Sequence, residues 1–534
     1  MPRTRGGVLW RGLLAAVIVI ALGAAATAVA GLNQFHDIAK DFDQSAPIKD
    51  ARIKLPEPGA PETLLLIGSD HRAGTPYTDA NTDTMMLVRI DDSSSTINLM
   101  SIPRDLAVTV PGSGGEVQKL NAMYSIGGPN LLIKTLQQEV FPGLQVNHIL
   151  DLNFAGFSDL IDAIGCVYTM VDHRYYNVSA PGPDDFSAIN IQPGYQRLCG
   201  DHQAITGALA FVRFRHTDSD VVRNARQQDF IRWAKDGYGA NQLLDNKGKL
   251  LRIFGKHVQT DAFLHTEVGL IELFDLIINA DGHTLKTIQF PEYFGACGSG
   301  GPCYVYACPA VGACTGDSYY TTAPATTVGE ATPAEEAAYT AFLTPTTGPA
   351  PSANTATPPS RKHRRHAAVS DAGLIADLPD GVSQARALKP FRLPIYVPKE
   401  ILGGSQYCSS VSGNCDDPLE PVTGYTGSYP RRYTLLDLQN QIHPAYVMTL
   451  LINPDLGTYY TVEGMGWQNP PILNSPNAVA TVDGKRLDEY DDGAKIALVA
   501  WHTPQAVYWI ANTLANAIPN REMVAIAASF TLAR

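Results

Sequence analysis

Short apolar runs in the first hundred residues predict the strands of a sheet. Thr63 to Ile67 is one such run, and the polar tripeptide Gly68-Ser69-Asp70 follows it. Met85 to Ile90 and Ile97 to Ile102 are two more, separated by the polar residues 91–95. Runs of this length are typical of buried strands, and a short polar loop between two of them predicts a hairpin. A hairpin within an α/β chain makes the expected sheet mixed.

A strand–helix–strand pattern follows further along the chain. His148 to Asn153 predicts a strand, Phe154 to Ile164 a helix, and Cys166 to Val171 another strand. Together with the hairpin, this pattern places the first half of the chain in the α/β class.

Globular character returns after about Leu388. The runs 445–451 and 496–501 predict strands, 504–517 has helical spacing, and 523–533 predicts a closing strand. We therefore expect a small C-terminal α/β domain over residues 374–534. Its aromatic residues (Tyr459, Tyr460, Trp467, Trp501 and Trp509) fit either a hydrophobic core or a surface that stacks on sugars.

Residues 316–373 have a different composition, rich in Thr, Ala and Pro and almost without apolar periodicity. Such a segment is predicted to be a disordered linker. It contains the basic run 361–366, which fits a solvated charge cluster or a contact with anionic wall polymer or lipid.

The N-terminus carries the signature of a membrane anchor. Residues 1–11 contain three arginines and no acid, and residues 12–32 contain no charge. About 20 apolar residues span a bilayer, and preceding positive charge keeps the N-terminus cytoplasmic. A cleaved signal peptide is the alternative, because residues 24–30 are small enough to host a cleavage site. With either, the part that follows a polar stalk at 33–61 is expected outside the cell membrane.

The eight cysteines fit an oxidising compartment. The four between Cys297 and Cys314 lack the CxxC spacing of a zinc site. The expected disulfides are Cys166–Cys199, two bonds within 297–314, and Cys408–Cys415, although spacing leaves the connectivity open.

A basic segment, 208–230, stands out in a chain of net charge −12. The alternation over 210–215 predicts a strand that points Arg213 and Arg215 to one side. Arg223, Arg226 and Gln227 would share one face of a helix. Several guanidinium groups on one spot suit a phosphate or pyrophosphate. The alternative is a solvated basic face paired with Asp218, Asp220 and Asp229. The pI of about 5.5 argues against nucleic acid as the partner.

Two carboxylates at neighbouring strand ends suggest a metal site. Asp70 follows the first strand and Asp83 precedes the second. Paired carboxylates suit Mg²⁺ or Mn²⁺ bridging phosphate oxygens, whereas a lone Asp at a strand end often only caps a helix or forms a turn. Lys119 is a further candidate phosphate contact.

Five motifs in order resemble the LytR-CpsA-Psr family: LLIGSD, NTDTMMLVRI, SIPRDL, KLNAMYSIGG and FVRFR…DVVRNARQQ. The resemblance implies a three-layer α/β/α domain with a mixed central sheet, here over residues 62–315 with its Cys-rich extension. It also implies a long apolar pocket for a polyprenyl tail, with the pyrophosphate head at the mouth of the pocket.

The same resemblance implies a membrane-anchored, Mg²⁺-dependent phosphotransferase. Such enzymes move a cell-wall glycopolymer from a polyprenyl-pyrophosphate carrier onto peptidoglycan and release polyprenyl phosphate. The alternatives are a polyprenyl-pyrophosphate hydrolase and a non-catalytic lipid-phosphate-binding regulator.

The implied roles fall on specific residues. Asp105 and Asp220 are expected to orient arginines, and Asp105 is also the candidate general base. The other assignments are Asp70 and Asp83 for the metal; Arg104, Lys119, Arg213, Arg215, Arg223, Arg226 and Gln227 for the pyrophosphate; and Arg104, Asp105, Arg215 and Arg223 for catalysis.

Overall fold

A computed structural model describes most of the chain from residue 47 onward. The described residues are 47–48, 53–57, 59–69, 82–177, 188–200, 205–214, 220–237, 249–250, 252–294, 304–314, 328–344, 362–363, 373–410, 414–415, 429–453 and 457–533. The predicted anchor at 12–32 lies outside them. Within them, no helix has the length and apolar character needed to cross a bilayer.

The first part of the chain contains fourteen described strands and six α-helices with defined bounds, besides further helical residues at 249–250 and 252–257. The strands are β1 Glu62–Ser69, β2 Thr82–Asp91, β3 Thr96–Ser101, β4 Ala107–Thr109, β5 Val117–Lys119, β6 His148–Asn153, β7 Val167–Val171, β8 Tyr175–Asn177, β9 Ile189–Ile191, β10 Gly194–Leu198, β11 Val258–Thr260, β12 Thr284–Thr287, β13 Glu292–Phe294 and β14 Val305–Ala307. The helices are α1 Leu120–Thr135, α2 Phe154–Ala163, α3 Ala208–Arg213, α4 Asp220–Gly237, α5 Glu267–Asn279 and α6 Pro333–Leu343.

A six-stranded mixed sheet forms the centre of this part, in the order β11-β6-β1-β2-β3-β12. β2 pairs antiparallel with both β1 and β3, so the predicted hairpin is confirmed. β6 and β12 pair parallel with β1 and β3. The predicted mixed sheet is therefore confirmed, as is the strand–helix–strand pattern of 148–171.

Helices cover both faces of the sheet. Leu65, Met85 and Met100 pack on one face against α1, whose Met123 and Leu132 are fully buried. On the other face, strand residues at the alternate positions pack against α4 and α5, as Val88 does. Strand residues alternate between the two faces, so one apolar strand contributes to both cores. The result is the expected three-layer α/β/α domain.

The expected strand over 210–215 is wrong. Residues 208–213 form the short helix α3, and all of its residues from Ala208 to Val212 are buried. Alternation of apolar and basic residues over six positions cannot distinguish a half-buried strand from a fully buried helix. Burial on every side favours the helix here.

The expected disordered linker at 316–373 is wrong for residues 333–343. These form α6, which begins with a capping box between Thr332 and Glu335 and a proline in its first turn. Phe342 is fully buried in the same core as α1, and Asn98 of β3 donates a hydrogen bond to the carbonyl oxygen of Phe342 at 2.8 Å. The helix is stable because it packs on the sheet, which local composition does not reveal.

The C-terminal part is rich in strands. Its strands are β15 Lys362–His363, β16 Leu374–Ala376, β17 Tyr396–Val397, β18 Glu400–Leu402, β19 Gln406–Tyr407, β20 Arg431–Leu436, β21 Ile442–Asn453, β22 Thr458–Met465, β23 Ala478–Val482, β24 Lys485–Asp492, β25 Lys495–His502, β26 Val507–Ala511 and β27 Thr531–Leu532, with helices α7 Leu378–Ala387 and α8 Asn520–Ser529. A nine-stranded sheet runs β15-β23-β24-β25-β26-β22-β21-β19, with β20 also paired to β21.

Two elements of this part are the reverse of the expectation. The segment expected as a helix, 504–517, contains the strand β26, and the expected strand, 523–533, begins with the helix α8. β26 is a central strand with every residue buried, which suits its β-branched and aromatic side chains. Tyr460 and Trp509 are fully buried, so these two aromatics belong to the core.

The two parts pack directly on each other. Tyr168 of β7 and Tyr195 of β10 share an apolar cluster with Trp509 of β26. The Tyr195 hydroxyl accepts a hydrogen bond from the Ile472 amide at 3.1 Å. The C-terminal part is therefore built onto the side of the first part.

Disulfides Cys166–Cys199 and Cys408–Cys415 confirm two of the expected pairs. Cys308–Cys314 is one of the two bonds expected within 297–314, and the other two cysteines of that segment lie outside the described residues.

Candidate functional site

Asp83 is the point on which two predicted arginines converge. It lies at the start of β2, and its Oδ1 accepts a hydrogen bond from Arg104 Nη1. Its Oδ2 lies 3.3 Å from both Nε and Nη2 of Arg213. Arg213 ends α3, and its guanidinium also lies 4.0 Å from the ring centre of Phe154. Residues 21 and 130 positions away are thus brought to one carboxylate.

Asp105 and Lys119 extend this cluster. Asp105 Oδ1 is 3.1 Å from Lys119 Nζ and 3.8 Å from Arg104 Nε. The first turn of α1 fixes their spacing, because the Asn121 amide donates to the Arg104 carbonyl oxygen at 3.0 Å. We call Asp83, Arg104, Asp105, Lys119 and Arg213 the cationic cluster. Its side chains are between 10% and 29% exposed, so they reach solvent.

Arg226 does not join the cationic cluster, contrary to its predicted role as a pyrophosphate ligand. It is fully buried, and its Nη1 donates to the carbonyl oxygens of Phe211 and Phe214 at 3.0 and 2.9 Å. Its guanidinium also lies 4.6 Å from the ring centre of Tyr175. Arg226 therefore holds the end of α3, and through it the position of Arg213.

Gln227 also has a different role from the predicted one of binding the pyrophosphate. It is 5% exposed, and its amide nitrogen donates to Thr84 Oγ1 at 2.9 Å and to the Val212 carbonyl oxygen at 3.1 Å. Both amide hydrogens are engaged, so they are not available to an anion. Gln227 ties α4 to the residue after Asp83 and to the residue before Arg213. Sequence reasoning placed it on the correct helix but not in the correct environment.

Arg223 lies on α4 as predicted and is 1% exposed. The alternative of a solvated basic face is therefore wrong for Arg223 and Arg226. Asp229 is one of the acids expected to pair with these arginines. It instead contacts Arg232 and accepts a hydrogen bond from Trp233 Nε1 at 2.8 Å.

Several predicted residues cannot be placed. Asp70, Arg215 and Asp218 lie outside the described residues, and Asp220 is described only as the first residue of α4. The predicted pairing of Asp70 with Asp83 is thus a prediction still.

Asp83 has the chemistry of a metal ligand. Its Oδ1 accepts one hydrogen bond, from Arg104, and so keeps a lone pair, and carboxylate oxygens are what Mg²⁺ prefers. Among the described residues, the one group of three or more His, Cys, Asp and Glu donors close enough for a single ion is Asp162, Cys166 and Cys199, and a disulfide joins its cysteines. A metal at Asp83 would therefore need Asp70 or oxygens from the substrate.

Sequence reasoning missed a buried acid beneath the end of β1. Asp151 of β6 is 3% exposed and accepts hydrogen bonds from Ser69 Oγ at 2.7 Å and from the Tyr124 hydroxyl. Ser69 directly precedes Asp70, so this network fixes the point from which Asp70 departs. An acid in the middle of the apolar run HILDLN was the available signal.

An apolar cavity of about 400 Å³ lies between the central sheet and the second half of α4. Val88 of β2, Leu160 of α2 and Ile231 of α4 contribute to its lining, in which Lys235 alone carries a charge among the described residues. Gln227 and Ile231 are four residues apart on α4, or about 6 Å along the axis. The cavity therefore begins about one helical turn from the residue that ties α4 to Thr84.

A family model matches this chain over just more than half of its 534 residues. The model is that of the LytR_cpsA_psr family, and it matches residues 26–310. The match covers the cationic cluster and the apolar cavity and ends before α6.

Named relatives are similar over the same region. The polyisoprenyl-teichoic acid–peptidoglycan teichoic acid transferase TagU of Oceanobacillus iheyensis is 32% identical over 37% of this chain and 58% of its own length. The transferase TagT of Bacillus subtilis, of the same description, is 26% identical over 53% of this chain and 84% of its own. A solved LytR-Csp2A-Psr enzyme from Actinomyces oris is 21% identical with a TM-score of 0.37, covering 49% of this chain and 91% of its own. This chain thus spans little more than half of the first relative and most of the other two.

Proposed function

Because this chain belongs to the LytR-CpsA-Psr family, we propose that it is a cell-wall glycopolymer transferase. The donor in this proposal is a glycopolymer on a polyprenyl-pyrophosphate carrier, and the acceptor is peptidoglycan. The similarity to TagU and TagT, both named as teichoic acid transferases, supports the reaction class. The observation that carries the proposal is the convergence of Arg104 and Arg213 on Asp83, which α4 links through Gln227 to an apolar cavity.

The cationic cluster suits the pyrophosphate head of the carrier. Arg104, Arg213 and Lys119 bring three positive charges against the two negative charges of Asp83 and Asp105. The net positive charge favours an anion with several oxygens, and a guanidinium can bind two of them at once. The carboxylates hold the cations in place before the substrate arrives, which reduces the reorganisation needed in the reaction.

The apolar cavity suits the hydrocarbon tail of the carrier. Its volume of about 400 Å³ is that of a typical ligand pocket, and its lining is almost wholly apolar. α4 contributes Ile231 to the cavity and Gln227 to the anchoring of Thr84, so one helix links the tail site with the head site. A lipid with a charged head requires these two environments side by side.

The proposed reaction is a phosphoryl transfer. A peptidoglycan hydroxyl attacks the phosphorus that carries the polymer, and the bond from this phosphorus to the bridging oxygen breaks. Polyprenyl phosphate leaves with that oxygen and its electron pair. Arg104 and Arg213 stabilise the negative charge that develops on the phosphate oxygens. Asp105 is the candidate to accept the proton of the hydroxyl.

Mg²⁺ is part of the proposal, with Asp83 and Asp70 as its protein ligands. When bound, it would neutralise charge on the pyrophosphate and polarise the bond that breaks. We also propose that residues 12–32 anchor the chain in the cell membrane, with its N-terminus in the cytoplasm and the catalytic domain outside.

The test uses the full-length chain in detergent micelles. Its substrates are a synthetic polyprenyl-pyrophosphate-linked disaccharide and peptidoglycan fragments, with Mg²⁺ or with a chelator. Mass spectrometry of the released polyprenyl phosphate and of the modified peptidoglycan reports the reaction. Arg104→Ala and Arg213→Ala are each expected to lower turnover about 100-fold or more, because each removes a donor to the transferring phosphate. Arg392→Ala, at an exposed arginine of the C-terminal part, is the matched control.

Three outcomes would contradict parts of the proposal. Release of polyprenyl phosphate without any modified peptidoglycan would identify a hydrolase. Carrier binding without turnover, with acceptor and metal present, would identify a binding protein. Full activity in the presence of the chelator would show that the reaction does not need Mg²⁺.

A further inference from the structure

A second cavity lies along the first half of α4 and is separate from the apolar cavity. It has a volume of about 390 Å³, and nothing in the proposed reaction uses it. Ser101 of β3, Asn224 and Gln228 of α4, and Glu292 of β13 line it. The loop closed by the Cys308–Cys314 disulfide and the small side chains of α6 form other parts of its wall. We call it the α6 cavity.

Two buried polar residues of the α6 cavity have side-chain atoms without a hydrogen-bond partner among the described residues. Ser101 is 1% exposed and Asn224 is 7% exposed. Within the described part of the chain, neither Ser101 Oγ nor Asn224 Nδ2 has a hydrogen-bond partner. Buried polar groups are ordinarily paired, because an unpaired one loses its water contacts without replacement. Two such groups at one cavity indicate that a polar ligand supplies their hydrogen bonds.

The charges of the lining select the kind of ligand. Glu292 is 6% exposed, and it alone carries a charge among the described lining residues. The other polar side chains, including Ser101, Asn224 and Gln228, are neutral amides and hydroxyls that both donate and accept. A carboxylate repels phosphates and uronates but accepts hydrogen bonds from hydroxyl groups. A neutral ligand with several hydroxyls fits this set.

Two chain segments connect the α6 cavity to the proposed reaction site. Asn224 directly follows Arg223 on α4. Ser101 precedes Arg104 by three residues, so their Cα atoms are at most about 11 Å apart. A ligand bound at Ser101 and Asn224 would therefore lie within one sugar unit or two of the pyrophosphate head.

We propose that the α6 cavity binds a neutral sugar residue of a glycan. Hydroxyls of the sugar would pair with Ser101 and Asn224, and Glu292 would accept from a further hydroxyl. The source of the sugar, which is the donor polymer or peptidoglycan, rests on the proposed function. The specificity for neutral sugars follows from the lining alone.

The test measures binding to the full-length chain in detergent, without carrier lipid, metal or turnover, so it does not depend on transferase activity. The probes are N-acetylchitotriose, maltotriose and trigalacturonate, and titration calorimetry with ligand-observed NMR gives their dissociation constants. At least one of the two neutral probes is expected to bind in the α6 cavity. Trigalacturonate is expected to bind only at the cationic cluster, so the cavity variants should not change its affinity. Ser101→Ala and Asn224→Ala are each expected to weaken binding about 3- to 10-fold, the worth of one hydrogen bond.

Further variants separate a binding role from a structural one. Ala337 lies exposed on α6 at the cavity, so Ala337→Trp is expected to block binding while the protein stays folded. Gln439→Ala, at an exposed amide of the C-terminal part, is the matched control and should change nothing. Failure of both neutral probes to bind would overturn the proposal, as would affinities unaffected by all three cavity variants. Trigalacturonate binding that the cavity variants weaken would do the same.

Competition identifies the source of the sugar. If the donor's own sugar fills the α6 cavity, a polyprenyl-pyrophosphate-linked disaccharide displaces the bound trisaccharide. If the acceptor fills it, the two bind together. Both results support a neutral sugar site, and they differ in which substrate uses it.

Discussion

Glu463 joins the two parts of the chain in a way that should make stability depend on pH. It lies on β22, is fully buried, and its Oε2 accepts hydrogen bonds from the Tyr433 hydroxyl at 2.8 Å and from the Tyr195 amide at 3.2 Å. Tyr195 belongs to the first part of the chain and Tyr433 to the C-terminal part. Burial raises the pKa of Glu463 to about 8, and the hydrogen bond from Tyr433 opposes that rise only in part.

The sign and size of the effect follow from this pKa. It lies above the ordinary value of 4.5, so between these pH values the folded chain holds a proton that the unfolded chain has lost. The stabilisation is complete below pH 4.5 and is lost as the pH rises through about 8. At about 1.4 kcal/mol per pH unit, the whole loss amounts to about 5 kcal/mol. This is a large part of the free energy of unfolding of a typical domain.

The perturbation is Glu463→Gln, which keeps the shape of the side chain and cannot ionise. Urea unfolding with intact disulfides, followed by circular dichroism and tryptophan fluorescence from pH 5 to 8, gives the free energy of unfolding of both proteins. The wild-type chain should lose stability relative to the variant by about 1 kcal/mol or more per pH unit near neutrality. Glu336→Gln, at an exposed glutamate of α6, is the control and should run parallel to wild type. Parallel curves for Glu463→Gln and wild type would refute the reasoning.

Three further predictions concern the site and its supports. Arg226→Gln should lower the free energy of unfolding by about 2–4 kcal/mol, since it breaks charged hydrogen bonds to buried carbonyls. Arg213→Ala should instead lower turnover with little change in the melting temperature. Equal shifts of the melting temperature in the two variants would contradict this difference in role. Tyr124→Phe removes one hydrogen-bond donor to Asp151 and should lower turnover several-fold in a Mg²⁺ titration, while the circular dichroism spectrum stays unchanged. An unaltered titration would count against a role for the hydrogen bonds of Asp151 in placing Asp70. Phe342→Ala should cost about 3–5 kcal/mol in urea unfolding, because Phe342 is fully buried, and a cost below about 1 kcal/mol would show that α6 is not part of the core.

The central sheet and its hairpin could be read from the sequence because their signals are local. The run LLLIG and the two runs around the turn 91–95 have the length and flanking residues of strands, and each is a strand in the structure. Cys166–Cys199 and Cys408–Cys415 could also be expected, since each of these cysteines has few other cysteines near it along the chain. These features depend on short stretches of chain.

The reversed elements show where local pattern fails. Residues 208–213 and 507–511 are both short apolar runs, one a helix and the other a strand. Apart from the terminal Arg213, each run is buried, so neither has a polar face whose spacing would reveal its period. The surrounding structure selects the conformation in such cases. α6 is the same case in reverse, because a polar, Thr-rich context hides a helix that one buried phenylalanine fixes to the sheet.

Sequence by itself determined the α/β class, the identity of α4 as a helix, and the inventory of cationic and acidic residues at the site. Only the tertiary structure decided which of these residues reach the site and which are buried. Arg104 and Arg213 meet at Asp83, whereas Arg226 and Gln227 point inward and hold α3 and α4. Residue type and spacing state which charges share a helix face, but burial depends on what packs against that face from elsewhere in the chain. Arg226 pairs with the carbonyl oxygens of Phe211 and Phe214, which lie 15 and 12 positions before it, and no helix or strand period predicts contacts at these separations.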